Sequence, residues 1–361
     1  MFEFPILYPG YLLKRNAFGF LQSPASLAIS VTHRCNLRCK TCGVIKKKHD
    51  ELLVYEYERI FKSIGKSVKW VTITGGEPFL REDLLSILNA VSSIFEPKAV
   101  TIATNGYFTD RIIKTAKDIS FSYPSVRYIL NISIDGIGPL HNRIRNSKDS
   151  FDKAMETFQE LKDVNIPNLK IGFHTVISKF NVNTISDLYD YLNNFNPAHH
   201  HFEIAQTRSE LNVSGEDIAP SLSEYVDAID SILSKDMKTS DDIIDNMITG
   251  FRRKYYSLSI EILERKEQVI PCYSGFASAQ IGPNGDLWPC CVLSKTMGNL
   301  RGVNYDFDKV WKSKSAADIR RNIRDGRCYC AMANSCYINM LLNPATAFKT
   351  ITPVFLKYVG L

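Results

Sequence analysis

The chain has 361 residues, 45% hydrophobic, 23% charged and 11% aromatic, the balance of an ordinary globular protein with enough chain for about two domains. Lys+Arg 44 against Asp+Glu 38 leaves a net charge of +6, too small for a nucleic-acid-binding footprint. The composition excludes a disordered or fibrous chain. With no run of about 18 apolar residues, and no signal-peptide pattern in MFEFPILYPGYLLKRNAFGF, it points to a cytoplasmic protein.

After an N-terminal extension (residues 1–26), six runs rich in β-branched and aromatic residues are predicted as strands: Leu27–Val31, Trp70–Thr74, Ala99–Ala103, Ile129–Ile134, Leu169–Ile177 and His201–Ile204. Helical patterns separate them, among them ELLVYEYERIFKSIG, DLLSILNAVSSIF, SFDKAMETFQELKDV and TISDLYDYLNNF. Right-handed crossovers curl such units, so the expected fold class is α/β, a partial (β/α)6 TIM-like barrel over residues 27–206 with its chemistry at the C-terminal strand ends. Residues 207–270 have helical spacing with many charges and read as a helical bridge. Residues 271–340 are cysteine-rich, and GPNGDLWPCC within them reads as a hairpin, which predicts a small α+β C-terminal domain. Residues 341–361 form an apolar tail.

The nine cysteines fall into two groups, a distribution that in a cytosolic chain suggests metal ligands more than disulfides. Cys35, Cys39 and Cys42 lie within eight residues, just after the first predicted strand. Three thiolates so placed can hold three irons of a 4Fe–4S cubane and leave the fourth iron open. A closed zinc site with His33 as fourth ligand is the alternative.

This C-x-x-x-C-x-x-C spacing resembles the hallmark of the radical S-adenosylmethionine (SAM) superfamily. The resemblance spans roughly residues 27–340: Gly75-Gly76-Glu77-Pro78 ends the second strand, Thr104-Asn105-Gly106 the third and Ser133-Ile134-Asp135-Gly136 the fourth. The run from His141 to Arg145, then Ser150 to Ala154, is similar to a stretch of the subgroup with auxiliary clusters, although Asn142 and Asn146 replace the usual Asp and Gly. The resemblance implies that the open iron chelates SAM, and that one electron then releases a 5′-deoxyadenosyl radical. It further implies close backbone approach at Gly75 and Gly76, and Glu77 as acceptor of the methionyl ammonium. Ser133 and Asp135 are expected at SAM polar groups, Arg145 at its carboxylate, and Thr104 and Asn105 either at SAM or in an Asn-Gly turn. Adenine or substrate contacts fall at His174, Thr175 and Ile204-Ala205-Gln206, while Thr41 stands where an aromatic residue is frequent.

The second group, Cys272, Cys290, Cys291, Cys328, Cys330 and Cys336, resembles the SPASM and shorter twitch domains of the same superfamily. Six cysteines rather than about seven imply one auxiliary 4Fe–4S cluster, with Cys272, Cys290, Cys330 and Cys336 as ligands and Cys328 as a substitute for Cys330. Cys291 is expected to face the other way, and a zinc ribbon is the alternative for the whole group. The implied activity is a radical SAM enzyme of oxidoreductase or isomerase type, performing oxidation, crosslinking or epimerisation. Its implied partners are a one-electron reductant such as flavodoxin or ferredoxin and a sugar-like, lipid-linked or peptide substrate. The apolar, aromatic chain ends add membrane-surface contact as an expectation. A non-catalytic cluster- or metal-binding scaffold is the competing class, and spacing distinguishes no general base.

Overall fold

All six predicted strands form, within two residues of their expected bounds: β1 (Ser26–Ser30), β2 (Trp70–Thr74), β3 (Ala99–Thr104), β4 (Arg127–Ser133), β5 (Leu169–Ile177) and β6 (His200–Ile204). The computed structural model describes residues 10, 11, 15, 23–48, 50–208, 210–213, 215–235, 242–293 and 295–358. Helices α1 (Val54–Ile64), α2 (Leu84–Phe95), α3 (Thr109–Ser122), α4 (Pro139–Arg145), α5 (Ser150–Val164) and α6 (Ile185–Asn193) connect the strands. All neighbouring pairs from β1 to β6 are parallel and in chain order. Alternation sets the two faces of the sheet. Val71, Ile73, Val100, Ile102, Tyr128, Leu130 and Ile132 are buried in one apolar core with residues of α1, α2, α3 and α5, whereas Thr72, Thr101, Ile129 and Asn131 line an interior cavity. Residues from every one of the six strands contribute to that cavity, which makes the sheet an open, partial barrel.

Two helices, α7 (Leu222–Leu233) and α8 (Ile243–Arg265), occupy the expected bridge, yet α8 does more than connect. Its residues Asp245, Ile248, Thr249 and Arg252 line the barrel interior. The following strands β7 (Ser278–Ile281), β8 (Asp286–Trp288) and β9 (Gly298–Asn299) form the expected hairpin, but they extend the barrel sheet instead of standing apart. Strand β7 pairs with β1 in parallel, and β8 and β9 follow antiparallel. The cysteine-rich segment is thereby built onto the barrel's first strand. It is fixed there by Arg301, which reaches Glu56 of α1 through Nε (2.7 Å) and Nη2 (2.9 Å), and Asp50 through Nη1 (2.6 Å).

Helices α9 (Phe307–Trp311), α10 (Lys314–Arg324), α11 (Ala333–Leu342) and α12 (Pro344–Tyr358) complete the chain. The apolar tail is largely helix: α12 packs on α8 and α11, with Phe348 71% and Phe355 50% exposed. Most of the N-terminal apolar segment lies outside the described residues; Arg15, which is described, donates to the Cys272 carbonyl (3.1 Å). No helix among the described residues is long and apolar enough to cross a membrane.

Candidate active site

The loop leaving β1 carries Cys35, Cys39 and Cys42, all reduced and half-buried. Its backbone is braced from two sides, by Lys40 N–H donating to the Ile144 carbonyl (2.8 Å) and Gly43 N–H donating to the Leu211 carbonyl (2.8 Å). Burial pushes the Cys35 thiol up to about 12 and also raises Cys39 and Cys42. Arg145 works against this at Cys39, with Nη1 3.9 Å from its sulfur. Three thiols on one loop beside a cation suit a cluster bound through thiolates.

Gly75 and Gly76 make a close backbone approach, and its target in the structure is the cysteine loop. A Cβ on Gly76 would stand 2.1 Å from the Arg34 carbonyl oxygen, and one on Gly75, at φ +147°, 2.5 Å from that of Thr32. Gly76 N–H donates to Thr32 O (2.7 Å) and Glu77 N–H to Arg34 O (2.8 Å), so the two loops dock edge to edge. Glu77 is 1% exposed, and burial pushes its carboxyl up to about 7. It accepts from Thr104 Oγ1 (2.8 Å), Asn105 N–H (2.7 Å) and Phe79 N–H (3.1 Å). Thr104 and Asn105 therefore hold Glu77; the Asn105 side chain also donates to Asn36 beside Cys35 (2.8 Å) and caps the following turn at Tyr107.

Asp135 and Arg145 are brought together, with Nε and Oδ2 2.8 Å apart and Asp135 1% exposed. Asp135 Oδ1 also accepts from Val176 N–H (3.0 Å), and Asn181 donates to the Asp135 carbonyl (2.8 Å). Ser133, half-buried, sits opposite His174 in the register of β4 and β5. Arg81, 4% exposed, is a site-building residue that sequence reading missed: it donates to the Val31 and Leu52 carbonyls (both 2.9 Å) and pairs with Asp83 (2.7 Å). It lies three residues beyond the Gly75–Pro78 motif, but nothing in the spacing marks it.

The barrel cavity has a volume of about 980 Å³. His174 faces Glu203 across it (Nε2 to Oε2 3.5 Å), and its ring stacks on His201 (5.4 Å, 18°). Burial raises the Glu203 carboxyl, but the His174 contact together with the Arg208 charge and the Ala333 N–H outweighs that and leaves it below its ordinary value. Thr175 instead points out of the interior, donating to the Ile134 carbonyl (2.5 Å) and meeting His200 (2.8 Å). Glu203, Arg208 and Glu210 were missed; the period-2 spacing of His201 and Glu203 at a strand C-terminus is the signal that finds the first of them.

Five cysteines, Cys272, Cys290, Cys328, Cys330 and Cys336, ring a second cavity of about 140 Å³; the thiols surround this space instead of converging on a single-ion site. Cys330 is raised first by burial and then by the neighbouring Cys336 and Cys272 sulfurs, whereas the thiol felt by Cys328 is that of Cys272. Cys291 lines the barrel cavity instead, where Arg208 Nη1 lies 3.4 Å from its sulfur.

Residues 29–192 match the family model of the radical SAM superfamily, and residues 272–337 match that of the SPASM iron–sulfur cluster-binding domain. The chain carries a radical SAM domain followed by a SPASM domain. The chain is 31% identical over 179 residues to GTP 3′,8-cyclase of Aquifex aeolicus, covering 46% of this chain and 52% of that protein. The GTP 3′,8-cyclase of Aliarcobacter butzleri is 34% identical over 164 residues, covering 44% and 48%. The chain thus spans about half the length of the curated relatives it matches. Among solved structures, SuiB of Streptococcus suis bound to precursor peptide SuiA superposes with a TM-score of 0.62 at 18% identity, over 87% of this chain and 70% of that one. The anSMEcpe protein with bound AdoMet and a Cp18Cys peptide gives 0.59 at 15%, over 93% and 99%. These two share the fold. A radical SAM domain implies SAM and a 4Fe–4S cluster, and a SPASM domain a further iron–sulfur cluster.

Proposed function

We propose that the chain is a SAM-cleaving radical enzyme that oxidises a polar, sugar-like or peptide substrate held in the barrel cavity. The observation that carries this reading is the placement of a five-cysteine cavity one residue away from the barrel interior, through Cys290 and Cys291. Cys35, Cys39 and Cys42 would hold the SAM-binding cluster, and Cys272, Cys290, Cys330 and Cys336 the auxiliary one, with Cys328 beside them. When bound, these groups supply a 5′-deoxyadenosyl radical that takes a substrate hydrogen and an acceptor for the remaining electron. The chain's own part is positional. Glu77, held by Thr104 and Asn105, presents a buried carboxyl beside the cysteine loop for the SAM ammonium; Asp135 and Arg145 brace the loop's other side. Glu203, paired with His174, offers a base inside the cavity for the proton that leaves an oxidised substrate. The oxidoreductase assignment is distinct from the cyclase activity named for the relatives and rests on the auxiliary cavity.

The test is anaerobic reconstitution with iron counting and assay of 5′-deoxyadenosine from SAM and dithionite, in wild type and in the triple Ala variant at Cys35, Cys39 and Cys42. Nucleoside from wild type alone, with about four irons surviving in the variant, supports the reading. Stoichiometric zinc and no nucleoside would overturn it in favour of a scaffold.

A further inference from the structure

One end of the barrel cavity holds a cation without a counter-charge among the described residues. Asp245, Ile248, Thr249 and Arg252 follow the i, i+3, i+4, i+7 spacing that places them on one face of α8, and all four line the cavity. Asp245 is shared by Arg127 (2.6 Å) and Lys170 (3.3 Å), and Asp242 assists at 3.4 Å from Arg127. Arg252, two turns further along, has no ion pair among the described residues, and its buried Nε has no hydrogen-bond partner. The Tyr337 phenol beside it is neutral because burial raises it.

The rings beside it do not supply the missing charge. His199, His200 and His201 are held far below the ordinary imidazole value, by burial first and with the Arg252 charge among the further causes. They remain neutral hydrogen-bonding groups; His199 Nε2 already meets Asn131 Oδ1 at 2.6 Å. Arg252 is half-buried with its Nε shut off from solvent and unpartnered, a polar group that an entering anion would satisfy, and the cavity leaves space for one.

We propose that Arg252 anchors an anionic group of the substrate, a phosphate or a carboxylate, within the barrel. The planar guanidinium suits either oxyanion through two parallel hydrogen bonds. Arg127 and Lys170, lining the same cavity, are already matched by Asp245 and Asp242, which leaves Arg252 open to an anion. This deepens the proposed function and rests on its reading of the cavity as the substrate site.

Titration calorimetry of the reconstituted protein tests the site, with inorganic pyrophosphate in one arm and succinate in the other. Saturable binding is expected in at least one arm, weakened at least about tenfold in Arg252→Gln, which loses the charge and the paired hydrogen bonds. Binding is expected to persist in Arg253→Gln, whose exposed side chain donates instead to the Leu233 carbonyl (3.1 Å). The arm that binds assigns the group as phosphate or carboxylate. Should Arg252→Gln not fold, Arg252→Lys, which keeps the charge but not the paired geometry, carries the comparison and must still bind more weakly than wild type. No saturable binding of either probe, or equal binding in wild type and the Arg252 variant, overturns the site. Pyrophosphate or succinate binding without 5′-deoxyadenosine formation would sink the enzymatic reading and leave the anion site standing.

Discussion

Cys290 and Cys291 are consecutive in the chain and face different cavities, Cys290 the five-cysteine cavity and Cys291 the barrel interior beside Arg208. Replacing Cys290 by Ala is expected to remove the auxiliary iron, about four atoms per chain. Cys291→Ala is expected to leave the iron count unchanged. Iron and sulfide analysis after reconstitution distinguishes the two, and iron loss in the Cys291 variant would count against the assignment.

Gly76→Ala is expected to cost at least about 3 kcal/mol, because the new methyl meets rigid backbone at Arg34 and not a flexible side chain. The docking of this loop onto the cysteine loop would be lost as well, lowering iron retention at Cys35, Cys39 and Cys42. Thermal melts and iron counts on the same preparation read both effects.

Arg145→Gln leaves the Asp135 carboxylate buried without its cation, at an expected cost of about 3–5 kcal/mol. The double variant with Asp135→Asn removes the orphaned charge and is expected to recover a large part of that loss. A double-mutant cycle by denaturant unfolding measures the coupling, which a value near zero would refute.

The Arg301 hydrogen bond first, with the Leu53 N–H, the Tyr305 hydroxyl and the Arg301 charge, holds the Glu56 carboxyl at about 2, against 4.5 for an ordinary glutamate. A depressed carboxyl stabilises the fold above its unfolded value and loses that contribution as pH falls through the folded value. Reduced by solvent screening, the stabilisation is about 1–2 kcal/mol at neutral pH and fades between about pH 5 and 2. Unfolding of wild type and Glu56→Gln should therefore differ at pH 7 and converge towards pH 2. A gap that does not narrow would show that the Arg301 clamp is not electrostatic.

Much of the barrel was legible because its signals are local. Six strands announce themselves through β-branched runs of five to nine residues, and the period-2 alternation of β4 already separates the face of Tyr128, Leu130 and Ile132 from that of Ile129 and Asn131. The cysteine spacing at 35, 39 and 42 was equally readable, since ligands on one short loop need no distant partner. Glu77, Thr104 and Asn105 were found as residues, but their connection into one buried network was not, because hydrogen bonds between different strand ends leave no periodic trace.

By itself the sequence determined the strand–helix alternation, the two cysteine groups and the motif residues at the strand ends, all set by spacing within a few residues. Only the tertiary structure decided that the cysteine hairpin continues the barrel sheet, through the pairing of Ser26 with Ser278, and that α8 turns Arg252 into the cavity. It also divided Cys290 from Cys291 between two sites. The reason is the same in each case: such contacts join segments far apart in the chain, and burial of apolar surface selects them only once both partners have folded.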